Sequence, residues 1–178
     1  MKLIITSVDE KLASLVQILP IWLHPFMRAM TFVAYPAVII PFSLTAIVYF
    51  YMQKNAALSA AFFAVLCSMG VNSLLKIFLH RPRPDTLYVE AMLFKTHSFP
   101  SGHAFGAMVF YGLLTYLFYN ALPEPWNVAA LLFGSLLILF VGISRIYLGA
   151  HFPTDVIGGW AFGACMLFLI IYVLKPAL

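Results

Sequence analysis

One stretch decides the fold: WNVAALLFGSLLILFVGIS, residues 126–144, which contains no charged side chain. A helix of about 20 apolar residues is long enough to cross a hydrocarbon core ~30 Å thick. Backbone N–H and C=O groups find no water in that core, so a segment that crosses it must form its hydrogen bonds internally, as a helix does. The stretch therefore predicts a membrane-spanning helix.

Four more stretches share this length and composition. The chain of 178 residues is 63% hydrophobic and only 9% charged, whereas soluble domains carry roughly a quarter charged residues. Pro36 and Pro41 predict a kink in the first span. The predicted fold class is all-α: a polytopic membrane helical bundle of about five transmembrane helices, forming one domain over residues 1–178. The five spans are predicted at residues 32–53, 56–79, 103–122, 126–145 and 155–174.

The first twenty residues have a different pattern. Their apolar side chains recur every three or four residues, with Asp9, Glu10 and Lys11 between them. This spacing predicts an amphipathic helix over residues 1–20 that lies on the membrane surface and ends at Pro20. A sixth span within this segment is the alternative. The apolar positions are Ile5, Val8, Leu12, Leu15 and Leu19.

Alternation of the five spans brings the polar segments to one membrane face. This face receives the end of the second span, the loop 80–102, the start of the third span and the junction between the fourth and fifth. The basic residues there form a local group, whereas a nucleic-acid-binding protein needs a broad basic stripe. We therefore predict an anion site and no nucleic-acid partner. The group comprises Lys76, Arg81, Arg83, Lys95 and Arg145.

The first polar cluster is KIFLHRPRP, residues 76–84. Lys76 lies near the end of the second span, and the two prolines place Arg83 at a rigid bend beyond the helix end. Both cations could neutralise phosphate oxygens, and the guanidinium fork binds two oxygens at once. The alternative is that they only extend toward lipid headgroups. His80 and Arg81 are close enough to contact a second phosphate or a headgroup.

The second polar cluster is Pro100-Ser101-Gly102-His103, directly before the third span. Ser101 is a good helix N-cap, and Gly102 lets a ligand approach the backbone closely. The free N–H groups and the helix dipole favour an anion at this position. His103, in the first turn, could donate a proton to a leaving oxygen. The alternative is an ordinary capped helix start with an interfacial histidine.

The third polar cluster lies between the fourth and fifth spans. Arg145 closes the fourth span, and His151 precedes the fifth. Asp155 follows His151 by four residues, close enough to bond one imidazole nitrogen and hold the other toward a substrate. This is the arrangement of a nucleophile or base with an orienting carboxylate. The alternative is a His–Asp pair that only fixes a loop.

Together the clusters predict a phosphoryl-transfer site. His151 attacks phosphorus as the nucleophile, Asp155 orients it, and His103 is the general acid that protonates the departing lipid oxygen. Carboxylates are scarce on this face, so we expect no metal and no cofactor, and the cations do the work that Mg²⁺ does in other phosphoryl-transfer enzymes. The predicted phosphate-binding residues are Lys76, Arg83, Ser101, Gly102 and Arg145.

The three clusters resemble the three signature motifs of the type 2 phosphatidic acid phosphatase (PAP2) superfamily. They read Lys76-x6-Arg83-Pro84, Pro100-Ser101-Gly102-His103 and Ser144-Arg145-x5-His151-x3-Asp155, and every signature position is filled over residues 76–155. The resemblance implies a phosphohistidine intermediate, metal-independent hydrolysis and a helical core shared with soluble vanadium haloperoxidases. It also implies an integral protein of the bacterial inner (plasma) membrane, with its active site on the extracytoplasmic face.

The chain departs from the usual membrane members of that superfamily in its number of spans. Such enzymes commonly have six, and here the first is absent or reduced to the N-terminal helix. Counting positive charges would by itself put the catalytic face in the cytoplasm. We attribute those charges to phosphate binding and follow the orientation that the resemblance implies.

The implied function is hydrolysis of a lipid phosphate mono- or diphosphate ester. Undecaprenyl diphosphate, phosphatidylglycerophosphate, phosphatidic acid and lipid A phosphate are the expected substrates. The motifs contact only the phosphate, so they do not distinguish among these lipids. A lipid phosphotransferase with the same phosphohistidine chemistry is one alternative, and a catalytically silent lipid-binding or transport protein is another. The expected partners are the lipid phosphate and the bilayer, with no obligate protein partner.

Overall fold

The structure, a computed structural model, describes residues 2–92 and 96–174, with the side chains of residues 7–92 and 96–173. No strand occurs in these ranges, which agrees with the predicted all-α class. A short 3₁₀ turn, Ile21–Leu23, follows the first helix. The α-helices are α1 (Lys2–Gln17), α2 (His24–Val33), α3 (Pro36–Met52), α4 (Ala56–Leu79), α5 (Leu87–Glu90), α6 (Gly102–Ala121), α7 (Trp126–Tyr147) and α8 (Pro153–Leu174).

Five helical segments in the described ranges are long and apolar enough to cross a membrane. This number is the one that the sequence predicts. α4, α6, α7 and α8 also begin and end within two residues of their predicted bounds. The agreement follows from the bilayer itself, because its thickness fixes the length of apolar helix that a span requires.

The first predicted span, 32–53, is broken where we expected a kink. α2 ends before Tyr35, which is extended with φ −69° and ψ 143°, as the residue before a proline prefers. Pro36 then occupies the first position of α3, where its missing N–H costs no hydrogen bond. Pro41 lies inside α3 without ending it. The break lets α2 turn aside and pack against α7.

α6 lies at the centre of the bundle and packs against α4, α7 and α8. Lipid tails are as apolar as the side chains, so helices in a bilayer associate through close van der Waals packing. The side chains of α6 interdigitate with those of α3 and α4 in a fully buried layer. This layer includes Ile39, Phe62, Val65, Phe105, Val109, Phe110 and Leu113.

Gly159 permits a close approach between α8 and α6. A Cβ atom at this position would lie 2.7 Å from the carbonyl oxygen of Ser101 and 2.9 Å from the Cβ of Ala104. Small residues at helix crossings allow backbones to meet in this way. The Ser101 amide donates to the carbonyl of Asp155 over 2.9 Å at the same crossing. The two helix starts that carry predicted catalytic residues are thereby held together.

The predicted N-terminal helix is present as α1, which ends at Gln17, before Pro20. Val8, Leu12 and Leu15 are exposed on the protein surface and so are available to lipid; the side chain of Ile5, also predicted on this apolar face, lies outside the described residues. The opposite face of α1 packs on α7 and α8 and buries Asp9 completely.

α1 lies across the end of the bundle that carries the polar clusters. Asp9 Oδ1 accepts a hydrogen bond of 3.0 Å from the amide of Thr154, in the first turn of α8. Two turns later, Gln17 Nε2 donates to the carbonyl of Ile146, in the last turn of α7, over 3.2 Å. Since both partners lie at the same end of the spans, α1 runs along that end and not parallel to the spans.

Replacing Gly159 with alanine should destabilise the bundle, whereas the same change at Gly70 should not. The added methyl at residue 159 meets backbone atoms that cannot move away, and such overpacking costs about 1–3 kcal/mol. A Cβ on Gly70, also within a helix, meets nothing within 4 Å. Thermal unfolding in detergent should show a lower midpoint for Gly159→Ala only. Equal midpoints for the two variants would contradict the close crossing.

Candidate active site

The three predicted polar clusters meet at one end of the bundle. Arg83 Nη1 lies 3.2 Å from His151 Nε2, which joins the first cluster to the third. A Cβ on Gly102 would lie 3.9 Å from Lys76 Cε, which joins the second cluster to the first. The backbone bond between the starts of α6 and α8 joins the second to the third. Lys95, counted among the basic residues of the sequence, lies outside the described residues.

His151 is buried between a carboxylate and a cation. Its Nδ1 lies 3.5 Å from Asp155 Oδ2 and 3.4 Å from Ser98 Oγ, whereas its Nε2 faces Arg83 Nη1. A guanidinium only donates, so Nε2 is the accepting nitrogen of a neutral ring and the ring proton lies on Nδ1. The electron pair of Nε2 is therefore directed toward the cations.

The surroundings of His151 favour its neutral form. Burial lowers the pKa of His151 well below its usual 6.5, and the positive charges of Arg145, Arg83 and Lys76 lower it further. Only the neutral imidazole has an electron pair available for attack. The neutral form is the one that the predicted role of His151 as nucleophile requires.

Asp155 is fully buried, and its two oxygens are occupied by different parts of the chain. Oδ1 accepts from Arg81 Nη1 over 2.7 Å. Oδ2 accepts from Ser98 Oγ over 2.5 Å and from the Phe152 amide over 2.9 Å. The 3.5 Å separation from His151 is longer than a normal hydrogen bond. The predicted direct bond to the imidazole is therefore a looser contact, with the Ser98 hydroxyl close to both partners.

Lys76 and Arg83 are fixed by backbone carbonyls of the loops around them. Lys76 is buried, and its Nζ donates to the carbonyls of His97 and Ser98 over 2.8 and 3.3 Å. Arg83 donates through Nε to the carbonyl of Thr96 over 2.7 Å and through Nη1 to that of Ala150 over 3.0 Å. These contacts direct both cations inward, which disfavours the alternative in which they only extend toward headgroups.

Arg145 is the most deeply buried cation of the site, at 1% exposure. Its Nη1 donates to Thr31 Oγ1 over 3.1 Å and to the hydroxyl of Tyr88 over 3.2 Å. Both acceptors are neutral, so these bonds leave the guanidinium without a balancing negative charge. A buried charge is costly until it is paired. The site is therefore suited to an anionic ligand.

Three buried polar atoms at this site have no hydrogen-bond partner in the described part of the chain. They are Arg145 Nε, His103 Nε2 and Asn72 Oδ1. Buried polar groups are nearly always paired in folded proteins, so unpaired atoms beside cations indicate a place for a ligand. The ring of His103 packs edge-on against Tyr35, with ring centroids 5.4 Å apart. That contact sets the direction of the imidazole.

The predicted helix cap is present at the start of α6. Ser101 Oγ accepts from the Ala104 amide over a long 3.5 Å, and Ser101 is fully buried. Gly102 begins the helix, where a Cβ would come within 3.2 Å of Asn72 Nδ2. The absence of a side chain at Gly102 thus leaves the α6 backbone close to the cations.

Sequence reasoning missed several residues of the site. Asn72 had a usable signal, because it precedes Lys76 by four residues and so shares its helix face. Ser98 and Asp9 had none: one is a serine in a polar loop, and the other looked like a solvated charge. His80, which we considered for a second phosphate, is exposed and packs against His97 with ring centroids 4.7 Å apart.

Within residues 2–92 and 96–174, no three His, Cys, Asp or Glu residues are grouped so that they could hold a metal ion. The carboxylates near the site, Asp9 and Asp155, both contact Arg81. Lys76, Arg83 and Arg145 supply positive charge at the site.

Comparison with known proteins identifies the family. The model of the PAP2 superfamily matches residues 57–177, a range that includes all three clusters. The chain belongs to the PAP2 superfamily. Its likeness to individual members extends from the motifs to the whole fold.

Two curated relatives are similar to part of this chain. Phosphatidylglycerophosphatase B of Bacillus subtilis is 35% identical over 102 residues, which are 56% of this chain and 49% of that protein. Lipid A 1-phosphatase of Rhizobium johnstonii is 35% identical over 111 residues, 58% of this chain and 42% of that protein. The chain thus spans about half the length of the curated relatives it matches.

A solved structure extends the likeness to nearly the full chain. The transmembrane PAP2-type phosphatidylglycerolphosphate phosphatase from Bacillus subtilis superimposes with a TM-score of 0.83 and 27% sequence identity. The match covers 97% of this chain and 87% of that one. The likeness to this structure therefore extends beyond the match to the family model, which does not include α1, α2 and α3.

Inorganic phosphate or vanadate should raise the thermal midpoint of the detergent-solubilised protein, because either anion pairs with the buried cations. A ligand that binds only the folded state stabilises by about 2.7 kcal/mol at 100 times its Kd. Arg83→Gln and Arg145→Gln should each abolish this shift. Arg28→Gln, which removes an exposed cation of α2, should keep it. A full shift in both site variants would contradict the anion site.

Proposed function

We propose that this chain is a membrane lipid phosphatase that acts through a phosphohistidine at His151. The observation that carries the proposal is the position of His151 Nε2, which faces Arg83 at 3.2 Å while Nδ1 faces Asp155 and Ser98. A phosphate bound to the cations would lie beside the electron pair of that nitrogen. Proximity and orientation of this kind supply much of the catalysis in phosphoryl transfer.

The first step transfers the phosphoryl group to the enzyme. Nε2 of His151 attacks phosphorus, the P–N bond forms and the bond between phosphorus and the lipid oxygen breaks. His103 gives its proton to the departing oxygen, so the lipid leaves as an alcohol, or as a monophosphate if the substrate is a diphosphate. Asp155 stabilises the charge that develops on the imidazole of His151, as the orienting carboxylate of a triad does.

The second step regenerates the enzyme. A water molecule gives a proton to His103 while its oxygen attacks phosphorus, and the P–N bond breaks. Inorganic phosphate leaves, and His103 is protonated again for the next cycle. Lys76, Arg83 and Arg145 balance the charge on the equatorial oxygens in both steps, and the amides at Gly102 and the start of α6 add donors. We propose that this arrangement works without a metal.

The substrate class follows from the membrane setting and the relatives. The site lies at the ends of the spans, so a lipid headgroup can reach it while its chains stay in the bilayer. The matched proteins named for phosphatidylglycerophosphate and lipid A support a phosphorylated lipid. We propose phosphatidylglycerophosphate, lipid A phosphate, phosphatidic acid and undecaprenyl diphosphate as the substrates to compare. The proposed setting is the extracytoplasmic face of a bacterial inner membrane, with residues 1–178 as a single domain.

Replacing His151 with alanine should abolish phosphate release from every lipid of this panel, because no nucleophile remains. With ³²P-labelled substrate, quenching in alkaline detergent should trap labelled wild-type protein and leave His151→Ala unlabelled, and acid should release the label from the wild type. His24→Ala, which changes an exposed histidine outside the site, should retain both activity and label. Equal labelling of His151→Ala would remove the nucleophile assignment, and label recovered in a second lipid with no free phosphate would favour a phosphotransferase.

The rate should be insensitive to acid until well below pH 6.5. The attacking ring must be neutral, and burial together with three cations lowers the pKa of His151 below that value. As the pH falls through the lowered pKa, the ring is protonated and kcat/KM declines. Profiles of kcat/KM against pH should show this limb, and Glu90→Gln, which changes an exposed residue of α5, should superimpose on the wild type. A limb centred at or above 6.5 would contradict the neutral buried nucleophile.

A further inference from the structure

Arg81 bridges two fully buried carboxylates that belong to distant parts of the chain. Its Nη2 lies 2.5 Å from Asp9 Oδ2, and its Nη1 lies 2.7 Å from Asp155 Oδ1. Both carboxylates have 0% exposure, while the Arg81 side chain is 21% exposed. Arg81 is thus occupied within the protein, and these contacts do not fit the role that its sequence position suggested, contact with a second phosphate.

Asp9 has two further bonds, both to the residue before the catalytic carboxylate. Its Oδ1 accepts from the Thr154 amide over 3.0 Å, and its Oδ2 accepts from the Thr154 hydroxyl over 2.6 Å. The same hydroxyl accepts from Arg81 Nη1 over 2.6 Å. One carboxylate of α1 therefore binds both the backbone and the side chain of the residue that precedes Asp155 in the first turn of α8.

Arg81 also fixes the second partner of the nucleophile. Its backbone carbonyl accepts from the Ser98 amide over 2.8 Å, and its guanidinium lies 4.6 Å from the ring centroid of Phe152. Ser98 and Asp155 are the two residues that face His151 Nδ1. Both are therefore attached to Arg81, one through its backbone and the other through its side chain.

We propose that Asp9 is a positioning residue of the active site, which acts through Arg81 and Thr154 to hold Asp155 in register with His151. By occupying Nη2 of Arg81, Asp9 leaves Nη1 directed at Asp155 Oδ1. Oδ2 of Asp155 is then left to accept from Ser98 and to face the imidazole of His151. The N-terminal helix is in this way part of the catalytic apparatus. The inference rests on the proposed phosphohistidine function and extends it.

The alternative, that Asp9 only attaches α1 to the bundle, predicts a different result when its charge is removed. An attachment role would change stability and leave turnover of the folded enzyme as it was. A positioning role changes turnover but not phosphate binding, because Asp9 contacts Arg81 and Thr154 and none of the three phosphate-binding cations. The split between kcat and KM therefore distinguishes the two.

Asp9→Asn in the full chain should lower kcat for phosphatidic acid in detergent micelles by about 10- to 100-fold, the range seen when the outer partner of an oriented histidine is lost at metal sites. KM should stay within about twofold, because the groups that bind the phosphate are unchanged. Glu10→Gln is the matched control, since Glu10 is the next residue of α1 and is exposed. It should behave as the wild type. Asp9→Glu should recover part of kcat.

The pH profile gives a second kinetic readout. Loss of the Asp9 charge makes the site more positive, so His151 becomes harder to protonate and the acid limb of kcat/KM should move to lower pH. The titratable and charged groups around His151 are Lys76 on α4, Arg83 in the following loop, His103 on α6, Arg145 on α7 and Asp155 on α8, and behind Asp155 lies the ion pair of Arg81 with Asp9. Asp9→Asn removes only the charge of Asp9 from this set, and Glu10→Gln removes none of it.

If Asp9→Asn does not fold, Arg81→Lys tests the same bridge. A single ammonium cannot reproduce the two-pronged contact, so kcat should fall while the charge is kept. An unchanged kcat in a folded Asp9→Asn or Arg81→Lys protein would overturn the proposal. So would a rise in KM with no fall in kcat, or an equal loss in Glu10→Gln.

A spectroscopic measurement separates this inference from the proposed function. ¹⁵N-histidine NMR should show His151 as one tautomer with the proton on Nδ1 in the wild type, and as a mixture in Asp9→Asn. Identical tautomer populations in the two proteins would overturn the positioning role. Failure of the wild type to release phosphate from any lipid would overturn the proposed function alone, because the NMR result does not depend on turnover.

Discussion

The carboxylate of Asp155 accepts hydrogen bonds from Arg81, Ser98 and the Phe152 amide. The backbone carbonyl of Asp155 accepts another from the Ser101 amide. A buried carboxylate remains charged only where donors replace its lost water. Here the donors to the carboxylate come from the loop after α4, the loop before α6 and the turn before α8, and the backbone bond adds the start of α6. Satisfying one buried charge therefore sets the relative positions of the segments that form the site.

The positive charges of the site are less completely balanced than the charge of Asp155. Lys76 and Arg83 are held by carbonyls, and Arg145 by neutral hydroxyls, so the site carries positive charge that its own groups do not fully balance. Charges interact strongly where water is excluded. Donors that are already in place need no rearrangement when negative charge develops on a substrate. The same features that make this end of the bundle costly to fold make it suitable for binding a phosphate.

Hydropathy predicted the fold well because the bilayer imposes a simple rule. The bounds of α4, α6, α7 and α8 followed from apolar length alone, and the three polar clusters followed from residue type and spacing. The break at Pro36 was not predicted, since a proline can kink a span or begin a new helix, and only packing of α2 on α7 decides which. Periodicity likewise located α1 but assigned Asp9 to its solvated side.

The sequence by itself determined that this protein is a helical membrane bundle with its polar chemistry gathered at one face. It did so because apolar length and motif spacing are properties of the chain alone. Only the tertiary structure decided which groups surround His151. Ser98, Asn72 and Asp9 are brought to the site from a loop, a span and an N-terminal helix. Hydrogen bonding between distant segments depends on their packing, and no local pattern encodes it.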